Sequence, residues 1–129
     1  YNSCNDISAI LKQSNVGILG STYEGFPVTL LEYGKASLIV MSTNVGYCPK
    51  IIINEENGFL FNPIDLKEII TTFQKVIIRI EKHNKKILKM GKQLNQSVSD
   101  NFTESIVIHK YIDFIIIQTL HIQKWYYFT

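Results

Sequence analysis

Two short apolar runs separated by a proline-led helical segment constrain this chain more than any other feature. The runs are Asn15-Val16-Gly17-Ile18-Leu19-Gly20 and Leu38-Ile39-Val40-Met41-Ser42, and both are continuously apolar rather than alternating. That pattern marks strands covered on both faces, as in a parallel sheet. Between them Pro27 opens a segment in which Val28, Leu30, Leu31 and Ala36 are apolar. Proline is favoured at the first helical position because its missing N–H had no partner there anyway. Strand, helix, strand is a βαβ unit, and parallel strands joined this way require a right-handed crossover.

The flanking segments extend the same architecture. Asp6 stands before Ile7, Ile10 and Leu11, an N-cap residue followed by apolar positions at helical spacing. After the second run come Asn44-Val45-Gly46, a short apolar piece Ile51-Ile52-Ile53, the turn signal Asn57-Gly58 and a third strand Phe59-Leu60-Phe61 that Pro63 ends. Asp65 with Glu68 three residues on matches a capping box, and Leu66, Ile69, Ile70, Phe73, Val76, Ile77 and Ile80 then recur at helical spacing. The basic stretch from Glu81 to Asp100 reads as another helix with a thin apolar stripe, and Thr103 opens a long final helix ending in Trp125-Tyr126-Tyr127-Phe128. The expected fold is α/β: a Rossmann-like three-layer α/β/α unit with parallel strands, occupying residues 1–129, with carboxy-terminal helices from about 82 to 129. Doubly wound sheets usually carry about five or six strands, so the first strands are expected to precede residue 1.

Composition removes other classes. With 129 residues, 46% hydrophobic and 19% charged, and a net charge of +2, this is one domain's worth of chain that can bury a core rather than a disordered segment. Cys4 and Cys48 share no metal-ligand or disulfide-framework spacing, which favours reduced thiols in the cytosol. The balanced charge argues against a nucleic-acid binder, which should concentrate basic residues on one face. No charged and apolar leader pattern is visible, and the apolar stretch Ile112 to Ile122 is broken by Asp113, Gln118, Thr119 and His121. It falls short of the roughly 20 residues that span a membrane.

The chemistry is concentrated at one place. Ser21-Thr22-Tyr23-Glu24-Gly25-Phe26-Pro27-Val28-Thr29-Leu30-Leu31-Glu32 leaves the first strand at its carboxyl end and runs into the helix, where open α/β sheets bind ligands. The first-turn amides of Val28, Thr29 and Leu30 lack intrahelical partners and point toward an anion such as phosphate, and Gly25 permits close backbone approach. Glu24 in the loop and Glu32 inside the helix can accept strong hydrogen bonds from separate parts of one hydroxyl-rich ligand, which suits a sugar and a ribose. Taken singly, each glutamate has a plain structural role: dipole complementation for one, a solvated helix face for the other. The two on one strand-to-helix turn, with Gly-Phe-Pro between them, point to a site.

Glu24 through Glu32 resembles the E-x7-E motif of retaining glycosyltransferases with the GT-B fold, and the surrounding sequence resembles glycosyltransferase family 4, the "glycosyl transferases group 1" domain. Asp6 to Leu19 is similar to the segment leading to that family's S-x-x-E-G-F-P turn. Leu38 to Gly46 is similar to its strand and T-x-V-G turn, Glu56 to Pro63 to its N-G-x-L-x-x-P segment, and Asn101-Phe102-Thr103 to the N-F-S/T that opens its final helix. The chain departs from the family at Ser37-Leu38-Ile39, where a Gly-x-Pro is common, and at Lys50, where an acid is common.

The resemblance implies a partial carboxy-terminal, nucleotide-sugar-binding domain of a GT-B enzyme, with the acceptor held mostly by an amino-terminal domain outside this sequence. Glu24 would orient donor-sugar hydroxyls as the catalytic electrostatic residue, Glu32 would bind the ribose, and the backbone from Gly25 through Phe26, Pro27, Val28, Thr29 and Leu30 would hold sugar and diphosphate oxygens. No cofactor or metal is implied; a UDP-, GDP- or ADP-sugar is the donor substrate, and a saccharide or lipid-linked saccharide the acceptor, as in surface-polysaccharide assembly. The implied route retains anomeric configuration, with the leaving phosphate helping to deprotonate the acceptor. The Arg and Lys that neutralise the donor diphosphate in the family lie upstream, so these 129 residues alone are expected not to turn over. The competing expectations are a non-catalytic glycosyltransferase-like partner domain and, more distantly, a nucleotide-sugar epimerase.

Other chemistry-bearing residues have simpler readings. His83, His109 and His121 lack an oriented carboxylate partner at motif spacing, Cys48 reads as a packed thiol, and Lys82 to Lys92 as a solvated face. The resemblance implies that the last helix crosses back to the amino-terminal domain and hides the Trp125 to Phe128 cluster; peripheral contact with the inner face of a membrane is the rival account of that cluster and of the lysine face.

Overall fold

Three parallel strands, β1 (Val16–Leu19), β2 (Ile39–Thr43) and β3 (Phe59–Phe61), form a sheet in the order β1-β2-β3. Val16 pairs with Ile39 and Leu19 with Ser42, while Met41 pairs with Phe59 and Thr43 with Phe61. They are accompanied by helices α1 (Ile7–Leu11), α2 (Val28–Lys35), α3 (Cys48–Ile51), α4 (Leu66–Glu81) and α5 (Lys85–Asn101). The structure is a computed structural model that describes residues 6–103 and 105–108. The expected final helix beyond residue 108, the Trp125 to Phe128 cluster, His109, His121, Cys4 and the stretch from Ile112 to Ile122 lie outside the described residues.

Every residue of β2 is buried, as expected of a strand covered on both faces. Its side chains alternate between two cores. On one face Leu38 and Val40 pack with Leu30, Cys48, Ile51, Ile52, Leu94 and Val98; on the other, Ile39 and Met41 pack with Phe59, Phe61, Val76, Ile87 and Met90. α2 and α3 therefore cover one face and α4 the other, and the three-layer arrangement follows.

α5 belongs to both layers. Its first half buries Ile87 and Met90 in the α4-side core, and its second half buries Leu94 and Val98 in the α2-side core. Gly91 stands at the crossing, where a Cβ would overlap the Ser37 carbonyl just before β2. From there α5 runs antiparallel to α2: Asn95 Nδ2 donates to the Gly34 and Lys35 carbonyls at 3.0 and 2.9 Å, closing the carboxyl end of α2. Phe102, just past α5, reaches the ring of Phe26, just before α2 begins.

Local signals held with two differences. Asp6 caps α1 by accepting from the Ala9 amide at 2.9 Å, and Asp65 caps α4 by accepting from the Lys67 and Glu68 amides at 3.0 and 3.1 Å. The capping box at Asp65 is only half formed, because the Asp65 amide donates to the Asn62 carbonyl at 3.2 Å instead of to Glu68. Pro27 is the N-cap of α2, with φ −77° and ψ 87°, and Val28 is the first helical residue. In the apolar piece from Ile51 to Ile53, Ile51 ends the four-residue α3, Ile51 and Ile52 are buried, and Ile53 is exposed.

Candidate functional site

The loop between β1 and α2 is held from beneath by the turn after β2. Thr43, fully buried at the end of β2, donates its Oγ1 hydrogen to the Ser21 carbonyl at 2.7 Å. Three residues further on, Gly46 has φ +50°, a region that favours glycine, and a Cβ there would overlap the Glu24 carbonyl oxygen. The Phe26 ring lies 5.4 Å from that of Tyr47 and 6.1 Å from that of Phe102. Three segments far apart in sequence thus meet at Phe26: Ser21 to Pro27, the turn after Thr43, and Asn101 to Thr103. The fourth, around Asn57, shapes the approach to β3; Asn57 Oδ1 accepts from the Ile53 amide at 2.7 Å and its Nδ2 donates to the Ile51 carbonyl at 3.2 Å.

The expected site residues occupy distinct environments. Glu24 is half-buried in the loop, Gly25 is exposed with open space about it, Phe26 and Val28 are exposed, Pro27 is buried and Thr29 is half-buried. Leu30 is a core residue with no exposed surface. Two of the three first-turn amides are already engaged, Val28 donating to the Phe26 carbonyl and Leu30 to the Pro27 carbonyl, each at 3.0 Å. Among the described residues no loop carbonyl takes the Thr29 amide.

Glu32 lies in the second turn of α2 and lines a cavity of about 280 Å³ between α1 and α2, together with Ile7, Ser8, Leu11, Lys12, Lys35 and Ala36. Glu24 is not part of that cavity. The glutamates therefore address different surfaces: Glu24 the loop at the carboxyl edge of the sheet, Glu32 a groove with an apolar floor and two lysines at its rim. Ser8, Lys12 and Lys35 did not stand out in the sequence. Lys35 follows Glu32 by three residues on one helix and was open to a spacing argument; the α1 residues arrive only through tertiary packing.

Next to Glu32, Tyr33 fixes α2 to β1. Its ring leaves no room for a side chain at Gly17, and its hydroxyl donates to the Ile18 carbonyl at 3.3 Å. Burial, with the charge of Glu32 adding, pushes the Tyr33 hydroxyl above the usual tyrosine range.

The profile of the family described as glycosyl transferases group 1 matches residues 1–95. The chain belongs to that family. A curated relative, "UDP-Gal:alpha-D-GlcNAc-diphosphoundecaprenol alpha-1,3-galactosyltransferase" of Escherichia coli, is 35% identical over 72 residues, covering 56% of this chain and 19% of the relative. Among solved structures, the C-terminal domain of a glycosyl transferase group 1 family protein from Francisella tularensis superposes with a TM-score of 0.67 at 23% identity, covering 81% of this chain and 51% of that one. A glycosyltransferase from Rickettsia africae gives 0.75 at 22% identity, covering 87% and 29%. Sucrose-phosphate synthase from Thermosynechococcus elongatus gives 0.63 at 21%, covering 86% and 27%. These likenesses establish the Rossmann-like fold of GT-B glycosyltransferase domains. The chain spans about a fifth of the curated relative's length and about half or less of the solved chains.

Proposed function

We propose that this chain is the carboxy-terminal, donor-binding domain of a family 4, GT-B, retaining glycosyltransferase. It would move a sugar from a UDP-, GDP- or ADP-sugar to a saccharide or lipid-linked saccharide in surface-polysaccharide assembly. The observation that carries this reading is the placement of Glu24 and Glu32 on either side of the start of α2, one at the carboxyl edge of the sheet and one in the α1–α2 cavity. A nucleotide-sugar has two hydroxyl-rich ends joined by a diphosphate, and along the chain the α2 amino terminus, where the Thr29 amide has no loop acceptor, comes between the two glutamates.

In this reading Glu32 accepts from the ribose hydroxyls, while Lys12 and Lys35 at the cavity rim raise the local positive potential toward the donor. Glu24 accepts from hydroxyls of the transferred sugar. Its negative charge is better matched to the oxocarbenium-like transition state than to the neutral sugar, so its contribution is to rate more than to affinity. The curated relative's name includes a UDP-galactose donor and a lipid-diphosphate-linked acceptor, which supports the same classes here. With an acceptor of that kind the enzyme would work in the cytoplasm at the inner membrane face. No helix among the described residues is long and apolar enough to cross a membrane.

The test is transfer from UDP-galactose and its UDP-, GDP- and ADP-sugar counterparts by the full-length protein, with product configuration read by NMR. Glu24→Gln should lower kcat by about 10²–10³-fold while changing donor KM little, the loss typical of one preorganised transition-state group. An inverted product, or full activity in Glu24→Gln, refutes the mechanism.

A further inference from the structure

Phe26 and Tyr47 form an aromatic pair that packing, Phe102 against Phe26 included, leaves more than one-third exposed. Among the described residues most large rings are spent on packing: Phe59 and Phe61 are buried in the α4-side core, Phe73 packs against Phe61, and Tyr33 and Phe102 pack on the α2-side core. Phe26 is 41% exposed and Tyr47 is 38% exposed, with their centroids 5.4 Å apart and their planes tilted by 54°. The backbone beneath them is tightly fixed. Gly46 abuts the Glu24 carbonyl, so Tyr47 is held one residue from the contact that positions Glu24, and α3 begins directly after it with the fully buried Cys48. The Tyr47 hydroxyl makes no hydrogen bond among the described residues, although a ring this exposed has a polar tip available. Tyr23, 82% exposed, adds a third ring to the same loop immediately before Glu24.

We propose that Phe26 and Tyr47 are an aromatic platform for the apolar face of a pyranose ring, and that Tyr47 is a specificity-determining residue of this enzyme. Resting on the donor-site reading above, the proposal adds a subsite to it. A pyranose presents a face of axial C–H groups, which packs on the electron-rich face of an aromatic ring, and a rim of hydroxyls, which needs acceptors and donors nearby. Both kinds of partner stand where the β1–α2 loop meets the turn after β2: a ring for the face, and Glu24, whose backbone Gly46 abuts, with the Tyr47 hydroxyl for the rim. Ligand sites generally combine apolar and aromatic walls with a few placed polar groups, and this corner of the sheet has that composition. The sugar is either the one on the donor or the one at the end of the acceptor, and the two sources give different kinetic signatures.

The experiment uses the full-length protein and three variants, Tyr47→Ala, Tyr47→Leu and Tyr47→Phe, each first checked for an unchanged melting temperature. Binding of UDP and of UDP-galactose is measured by calorimetry, with GDP and ADP and their sugar conjugates as further probes, and the acceptor KM is measured in the transfer assay. Tyr47→Ala and Tyr47→Leu are expected to leave affinity for the bare nucleotide within twofold. They should weaken the sugar-dependent quantity by about five- to tenfold, the worth of one aromatic contact, and Tyr47→Phe should recover most of it. A loss confined to the nucleotide-sugar assigns the platform to the donor sugar; a loss confined to acceptor KM assigns it to the acceptor. If the wild type binds nucleotide and both quantities are unchanged in Tyr47→Ala and Tyr47→Leu, the platform is refuted and the donor site stands. If the wild type binds no nucleotide or nucleotide-sugar, both readings fall together.

Discussion

Gly46 lies so close to Glu24 that any side chain on the first would overlap the backbone carbonyl oxygen of the second. A turn that follows one strand thereby sets the backbone position of a carboxylate that follows its neighbour in the sheet. The loop from Ser21 to Pro27 does not stand alone: its shape is imposed by contact with the turn at Gly46, by the Thr43 bond to Ser21, and by the ring of Phe102 returning from the end of α5.

Gly46→Ala should therefore act on both stability and function. The substitution meets a left-handed φ of +50° and a steric overlap with Glu24. Left-handed backbone alone costs a non-glycine residue about 1–2 kcal/mol. We expect a loss of at least about 1 kcal/mol in chemical denaturation, accompanied by weakened nucleotide-sugar binding; a variant with wild-type stability and binding would show that the turn does not support the loop.

Leu94 tests the role of α5 as a tie between layers. It has no exposed surface and packs against α2 beside Gly34. Leu94→Ala should destabilise the domain by about 2–5 kcal/mol through lost transfer energy and the cavity left behind. Because α5 also carries Phe102 to Phe26, limited proteolysis of Leu94→Ala should cut within residues 20–27 earlier than in the wild type. Unchanged protection there would separate α5 packing from loop order.

Acid should weaken one specific contact. Lys75, first, and Arg79 both donate to the Glu55 carboxylate and hold it below the usual glutamate range, although partial burial opposes them. Arg79 also lies over the Phe59 ring, 5.6 Å from its centroid. A carboxylate with a lowered folded pKa contributes stability above its unfolded pKa of about 4.3 and loses it as pH falls through the folded value. The side chains are roughly one-quarter to one-half exposed, so solvent screening limits the contribution to about 0.2–1 kcal/mol. Glu55→Gln should be less stable than wild type by that amount at pH 7, and the difference should shrink below about pH 4.3. A gap independent of pH would assign the loss to packing instead of charge.

The parts of this molecule legible from sequence are those that local chemistry decides. The βαβ unit followed from two continuous apolar runs about a proline, and α1 and α4 from aspartates that do accept from first-turn amides. One local signal failed where a competing partner lay nearby: Asn62 captured the Asp65 amide and left the capping box half closed. The position of the site at the carboxyl edge was open to the same reasoning. Its construction was not, since the contacts of Gly46 with Glu24 and of Phe26 with Tyr47 and Phe102 join residues about 20 to 76 positions apart. Nor could periodicity show that α5 leaves one core for the other at Gly91, where the helix passes against the backbone entering β2.

The central claim is that Glu32 holds the ribose of a nucleotide donor in the α1–α2 cavity. Calorimetric titration of the full-length protein with UDP, GDP and ADP, in wild type and in Glu32→Ala, tests it most directly. The account predicts that one nucleotide binds and that Glu32→Ala loses about 1.5–3 kcal/mol of its binding energy, the worth of hydrogen bonds to a charged group. Absence of binding by all three, or equal binding by the mutant, would contradict it and leave the chain a glycosyltransferase-like partner domain.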